Sequence, residues 1–267
     1  MATPRSSIDI TRPTTNALEI QNLSKAYQIP VIQDLTLAVQ QSGLVCLLGP
    51  NGCGKTTLLR ILAGIESPSR GHIRINGQAV DLSSNHDHHI SVVFQEPRLL
   101  PWKSILDNVV LGLSARGVPR STARQTAERY LRLVGLSDFE HYYPARLSGG
   151  MQQRAAIARA LAVEPQILLM DEPFSALDPE NRRIMQDELV GIWKETRKTI
   201  LFVTHSIDEA LRIGTRVVLL TARPASVLAS FDLTDDVDRR SLHDTLLDLF
   251  SEQVRLQRQL SGDAGTA

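Results

Sequence analysis

Apolar and polar positions along the chain follow two different periods, and the change between them divides the sequence into parts. Residues 18–23 and 32–39 alternate or are rich in β-branched side chains, with turns marked by Gly43 and Gly77, a pattern that predicts an antiparallel β layer. Residues 44–48 are apolar throughout, as in a strand buried on both faces. They run through a Gly-rich turn at 49–57 into the helix-like stretch 58–63, which makes a strand, turn and helix unit. Residues 167–170, 199–204 and 216–220 repeat the apolar-strand pattern, so the core sheet is predicted to be mainly parallel.

Between residues 99 and 146 the spacing turns helical, with Val109, Leu113, Tyr130, Leu131 and Val134 among the apolar positions, and predicts a helical lobe inserted into the sheet domain. Residues 1–16 are rich in Ser, Thr and Pro without periodicity and read as a disordered lead to a domain spanning 17–240. A C-terminal helix and tail occupy 241–267. Leu242, Leu246, Leu249, Phe250 and Val254 fall on one face of that helix, which favours docking on the core over docking on a partner.

Composition narrows the class. Hydrophobic residues make up 42% and charged residues 22%, enough to bury a core, and 29 basic residues against 29 acidic ones give a formal net charge of +0. No global basic field is available to hold nucleic acid. Cys46 sits in an apolar run and Cys53 in the Gly-rich turn, which is no disulfide framework and fits a reducing compartment. No apolar run approaches the length of a membrane span, and the N-terminus lacks a signal-type apolar stretch.

The chemistry concentrates in a few segments. Gly49-Pro50-Asn51-Gly52-Cys53-Gly54-Lys55-Thr56, followed by Thr57, matches the phosphate-binding loop, with the required strand before it and helix after it. Its glycines let backbone N–H groups turn inward, the helix N-terminus adds positive potential, Lys55 reaches the β- and γ-phosphates, and Thr56 offers a hydroxyl to Mg²⁺. Asp171 and Glu172 follow the strand 167–170, at the end where ligands of open α/β sheets bind. Asp171 suits the Mg²⁺ shell, and Glu172 suits polarising the water that attacks the γ-phosphate. Ser148, Gly149 and Gly150 open a helix and present a hydroxyl and N–H groups, a second anion site or an ordinary N-cap turn.

Residues 147–154, Leu-Ser-Gly-Gly-Met-Gln-Gln-Arg, resemble the signature sequence of the ABC ATPase family, and their place after the phosphate loop and before Asp171 and Glu172 matches that family's order. The resemblance covers about residues 18–228 and implies an α/β P-loop NTPase fold, ATP and Mg²⁺ as ligands, and ATP-driven closure of two ATPase subunits. It implies that Ser148, Gly149 and Gly150 grip the γ-phosphate held by the opposite subunit. Gln95, after the strand-like 90–94, resembles the lid-loop glutamine that meets Mg²⁺ or water, and His205 resembles the switch histidine that contacts the γ-phosphate. Tyr27 matches the aromatic that stacks on adenine, and Ser175-Ala176-Leu177-Asp178 the loop that crosses the dimer interface. Asn51 and Cys53 vary within the phosphate loop, and Leu44 follows Gly43 where the family often has Glu.

Residues 95–102, Gln-Glu-Pro-Arg-Leu-Leu-Pro-Trp, and 221–224, Thr-Ala-Arg-Pro, are similar to ATPases of bacterial nitrate, sulfonate, taurine and bicarbonate importers, although Ala225 stands where that subgroup usually has Gly. The implied partners are a second ATPase subunit, identical or related, integral membrane permease subunits and, indirectly, a solute-binding protein. The implied place is peripheral, on the cytoplasmic face of the inner membrane, and no nucleic acid is expected. Leu99, Leu100 and Trp102 form either the permease contact or packing inside the lobe. The alternative from another class is a soluble ABC ATPase acting on nucleic acid or the ribosome. His86, Asp87, His88 and His89 read as a solvated polar loop in preference to a metal site.

Overall fold

A computed structural model describes residues 15–80 and 90–263, with side chains to residue 260. The segment 1–14 of the predicted lead and the His86–His89 run lie outside the described residues.

Six strands form the core sheet: β3 (Leu44–Leu48), β6 (Ile90–Val93), β7 (Ile167–Asp171), β8 (Thr199–Thr204), β9 (Arg216–Leu220) and β10 (Val227–Asp232), in the order β10-β9-β3-β8-β7-β6. All neighbours are parallel except the antiparallel pair β9 and β10. The register aligns Leu48 with Thr204 and Leu219, and Asp171 with Val203, so the C-terminal ends of adjacent strands open on one edge. Residues that follow those ends, from the turn after Leu48 to His205, are thereby gathered along one crevice.

Period-two alternation in β3 feeds two cores. Leu44, Cys46 and Leu48 pack with the helical layer, while Val45 and Leu47 face the other way, toward α1 (Lys55–Leu62) and a second sheet. That sheet is antiparallel, in the order β2-β1-β4-β5, with β1 (Asn16–Ala26), β2 (Pro30–Gln40), β4 (Arg70–Ile75) and β5 (Gln78–Ala79). β1 opens at Asn16, the last position of the predicted lead.

The inserted lobe contains α2 (Ile105–Ser114) and α3 (Arg120–Leu133), and α4 (Gly149–Ala162) packs against both. Val109, Leu113, Tyr130, Leu131 and Val134 are all buried there. Asn108, fully buried, ties down the chain ahead of α2: its amide N–H groups donate to the carbonyls of Leu100, Lys103 and Ser104, and its Oδ1 accepts from Leu100 N at 2.7 Å. This clamp separates the three candidate contact residues, since Leu99 packs against the core while Trp102 is 70% exposed.

Between β7 and β8 runs α5 (Pro179–Thr196), and α6 (Ile207–Ile213) links β8 to β9. The last helix, α7 (Arg239–Asp263), docks on the core through Leu242 and Leu246, with Leu249 and Phe250 partly buried beside them. Strand β10 was not anticipated from the sequence, because an edge strand of alternating half-buried and exposed residues that includes Ala229 and Ser230 carries little apolar signal.

Candidate active site

The loop between β3 and α1 is shaped by its glycines. Gly54 adopts φ 130°, and a Cβ there would come within 2.9 Å of the Val31 carbonyl oxygen, so only glycine brings α1 to this position. Lys55 is buried, and its Nζ donates to the carbonyls of Gly49 at 2.8 Å and Pro50 at 3.1 Å. The cation thus stands inside its own loop, 3.8 Å from Glu172 Oε1. Cys53 is fully buried below the turn and a Cβ on Gly49 would lie 3.0 Å from its Sγ, so this side chain packs inward, away from the ligand face. Burial pushes the Cys53 thiol above its ordinary range, which keeps it protonated.

A cleft of about 480 Å³ lies above the loop. Asn51, Gly52, Gly54, Lys55, Thr56 and Thr57 line it from below, and Gln95, Asp171 and Glu172 line it from the strand ends. Burial raises the Asp171 carboxyl above the usual carboxylate range, with Glu172 adding repulsion, while a hydrogen bond from the Thr56 hydroxyl and the nearby Lys55 oppose the shift. A half-buried carboxylate penalised in this way favours a cation. Thr56, Asp171 and Gln95 offer hydroxyl, carboxylate and amide oxygens, the hard donors that Mg²⁺ takes, so the residues present fit that ion.

Glu172 holds a left-handed backbone, φ 46°, where glutamate is seldom found. Its N–H donates to the Val203 carbonyl at 3.1 Å, its own carbonyl accepts from Ser175 N and Oγ, and its Oε2 lies 2.9 Å from His205 Nδ1. His205 follows β8, and the turn it starts is braced by the buried Glu209, which accepts from Thr204 Oγ1 at 2.5 Å and from Gln186 Nε2 at 3.0 Å. Lys55, Glu172 and His205 therefore form one chain of contacts along the crevice.

The matching family model is described as ABC transporter and covers residues 32–175. The chain belongs to the ABC transporter family. Relatives include the taurine import ATP-binding protein TauB of Rhizobium johnstonii, 49% identical over 205 residues, which are 77% of each chain. The nitrate import ATP-binding protein NrtD of Synechococcus elongatus is 42% identical over 221 residues, 80% of each. Among solved structures, a dimeric ATP-binding cassette in a post-hydrolysis state bound to ADP and Pi superposes with a TM-score of 0.70 at 30% identity, covering 81% of this chain and 99% of that one.

Within this ABC ATPase the remaining sequence-predicted residues fall at two other places. Tyr27 is half-exposed beside the cleft and does not line it. Its hydroxyl is hydrogen-bonded to Glu66 and also meets Thr57, and Lys25 Nζ lies 4.9 Å from the ring centroid. The bond to Glu66, foremost, raises the phenol above its ordinary range. Ser148 caps α4 by accepting from Met151 N at 3.3 Å, and Ser148 and Gly149 are exposed and outside the cleft lining. The nearby loop 175–178 ends at Asp178, the N-cap of α5, and is clamped by Arg182, whose guanidinium donates to the carbonyls of Phe174, Ser175 and Leu177.

The structure also gives positions to residues that the sequence left without an individual role. Gln153 Nε2 donates to the Phe94 carbonyl at 3.2 Å, and Arg159 donates to those of Pro97 and Arg98, both at 2.8 Å, so α4 holds the segment that carries Gln95. Arg223, from the loop after β9, joins the cleft lining. Gln253 and Gln257 of α7 are buried against that loop. An amide four residues beyond another on an apolar helix face was the one available signal, and it reads equally well as the end of the face.

Proposed function

We propose that this ABC ATPase energises the import of a small anionic solute, of the nitrate, sulfonate, taurine or bicarbonate type, by closing with a second ATPase subunit across bound ATP. That it is an ATP-hydrolysing ABC subunit follows from its family. The importer reading draws on the relatives named for nitrate and taurine import. The observation that carries the two-subunit mechanism is the separation of the donor sets. Lys55, Asp171, Glu172 and Gln95 converge on the cleft, whereas the exposed N-terminus of α4 at Ser148 lies outside it.

In this reading the loop N–H groups and Lys55 hold the phosphate chain of ATP, and Tyr27 stacks on the adenine. Thr56, Asp171 and Gln95 hold Mg²⁺, which supplies charge neutralisation at the phosphates. Glu172 accepts a proton from the water whose oxygen attacks the γ-phosphorus, and the bond from that phosphorus to the departing ADP oxygen breaks. His205, bonded to the same carboxylate, fixes its direction and contacts the γ-phosphate. Ser148, Gly149 and Gly150 of the second subunit close the far side of that phosphate, so turnover awaits dimerisation.

No helix among the described residues is long and apolar enough to cross a membrane. Transport therefore calls for separate permease subunits, with a solute-binding protein beyond them and this subunit peripheral on the cytoplasmic face of the inner membrane. Exposed Trp102 on the lobe is the proposed permease contact. Affinity purification of the tagged chain from its native membranes in mild detergent, followed by mass spectrometry, tests this. A multispan permease and a solute-binding protein are expected, and recovery of soluble partners alone would overturn the importer reading while leaving the ATPase intact.

A further inference from the structure

The apolar face of α7 ends in two buried amides, and both are spent on the backbone of one loop. Gln253 Oε1 accepts from Ala222 N at 2.9 Å, and Gln257 Oε1 accepts from Arg223 N at 2.8 Å. Thr221 Oγ1 closes the same loop on itself, donating to the Pro224 carbonyl at 3.0 Å and accepting from Ser226 N at 2.9 Å. On the other side Ala225 N donates to the Val31 carbonyl at 2.8 Å, and Gln33 N to that of Ala225 at 3.0 Å. The phosphate loop is seated against this assembly. A Cβ on Gly54 would meet Ala225 Cβ at 3.3 Å, and one on Gly52 would lie 3.6 Å from Gln257 Nε2.

Such fixing is informative because the residue being fixed is Arg223, which lines the cleft. The cleft is lined by Lys55 and Arg223 against Asp171 and Glu172. Among the lining side chains alone, the carboxylates outnumber the cations without Arg223, and with it those side-chain charges balance. No carboxylate among the described residues forms an ion pair with Arg223. Among the described residues its guanidinium thus has no carboxylate partner, and its backbone is held by the bonds above, a condition under which a charged side chain binds phosphate with reduced ordering cost.

Resting on the nucleotide-binding reading of the cleft, we infer that Arg223 is a further nucleotide-binding residue, directed at the phosphate chain, and that Gln257 is a positioning residue that holds it from the C-terminal helix. The test uses the full chain and titrates a fluorescent ATP analogue. Arg223→Gln should weaken binding about tenfold and Arg223→Lys only about two- to threefold, with both losses shrinking at high salt. Gln257→Met should weaken binding about fivefold, and the double variant should bind no more weakly than Arg223→Gln alone, since both changes remove one interaction. Wild-type affinity in Arg223→Gln overturns the inference, and losses that multiply in the double variant overturn the positioning role. Lys55→Ala separates the two levels. If it binds as well as wild type, the cleft itself is misassigned; if it loses binding while Arg223→Gln keeps it, only the present inference fails.

Discussion

Replacing Glu172 with Gln tests the chemistry at its centre, because the change removes a proton acceptor and leaves size and shape alone. A positioned general base contributes about 10²–10⁴ in rate, which at about 1.4 kcal/mol per decade is about 3–6 kcal/mol of barrier. Binding should behave differently. The carboxylate is a negative charge 3.8 Å from Lys55 Nζ, beside the proposed phosphate site, so its loss is expected to leave ATP affinity unchanged or tighter. Glu172→Gln is therefore expected to lower kcat by about 10²–10⁴ in a phosphate-release assay and to accumulate as an ATP-bound dimer on size exclusion. The φ of 46° supplies an independent control. A non-glycine residue in that region costs about 1–2 kcal/mol, so Glu172→Gly should inactivate the enzyme as fully while raising its Tm by about 2–4 °C. Turnover by the Gln variant within tenfold of wild type would refute Glu172 as the principal base.

His205→Ala should cut hydrolysis by about 10- to 100-fold with ATP affinity held within about twofold, and a large loss of affinity in the same titration would count against its role beside Glu172. Asp171 makes a prediction about pH. Its folded carboxyl is raised, so the stability it contributes to nucleotide-free protein is fully present below the unfolded value of about 3.9 and is lost as pH rises through the higher folded value. Asp171→Asn should flatten the Tm-against-pH curve across that interval and abolish Mg²⁺-dependent hydrolysis; an unchanged slope would show that the group is not penalised. Trp102→Ala, at a 70% exposed site, should leave soluble ATPase activity and Tm unchanged and abolish copurification of the permease, and full recovery of the permease would remove this side chain from the interface.

What was legible beforehand was contiguous. The phosphate loop, Asp171 with Glu172, and Ser148 to Gly150 each sit in one stretch of chain whose flanking apolar strand or helix fixes the context, and the parallel strands bring the first two together. Gln95 and His205 were reachable by their places just after strands. Contacts that depend on three-dimensional register were not. The split between Leu99 and Trp102 is decided by the four hydrogen bonds of Asn108, an interior polar residue indistinguishable in sequence from one on a helix surface. Arg223 enters the cleft only because β9 lies beside β3 and ends level with it. Gln253 and Gln257 interrupt an apolar pattern, and only the loop packed on α7 shows that the interruption is a pair of buried hydrogen bonds.

The contacts of α4 carry the mechanism one step further than the individual side chains do. Ser148 caps the helix at one end, and from its body Gln153 and Arg159 donate three hydrogen bonds to the carbonyls of residues 94, 97 and 98, on both sides of Gln95. Arg159 is half-buried, which lowers its pKa, and its bond to the Pro97 carbonyl is partly withdrawn from water while that to Arg98 stays exposed. A helix of 14 residues is stiff on the scale of these contacts, so displacement at Ser148 is passed to the Gln95 segment with little loss. In the proposed mechanism, the residue assigned to the second subunit's nucleotide and the residue assigned to this subunit's own metal and water are therefore joined through one helix. If closure proceeds as proposed, it would bias the geometry around both ATP sites through this helix, a physical route by which the paired sites would act together.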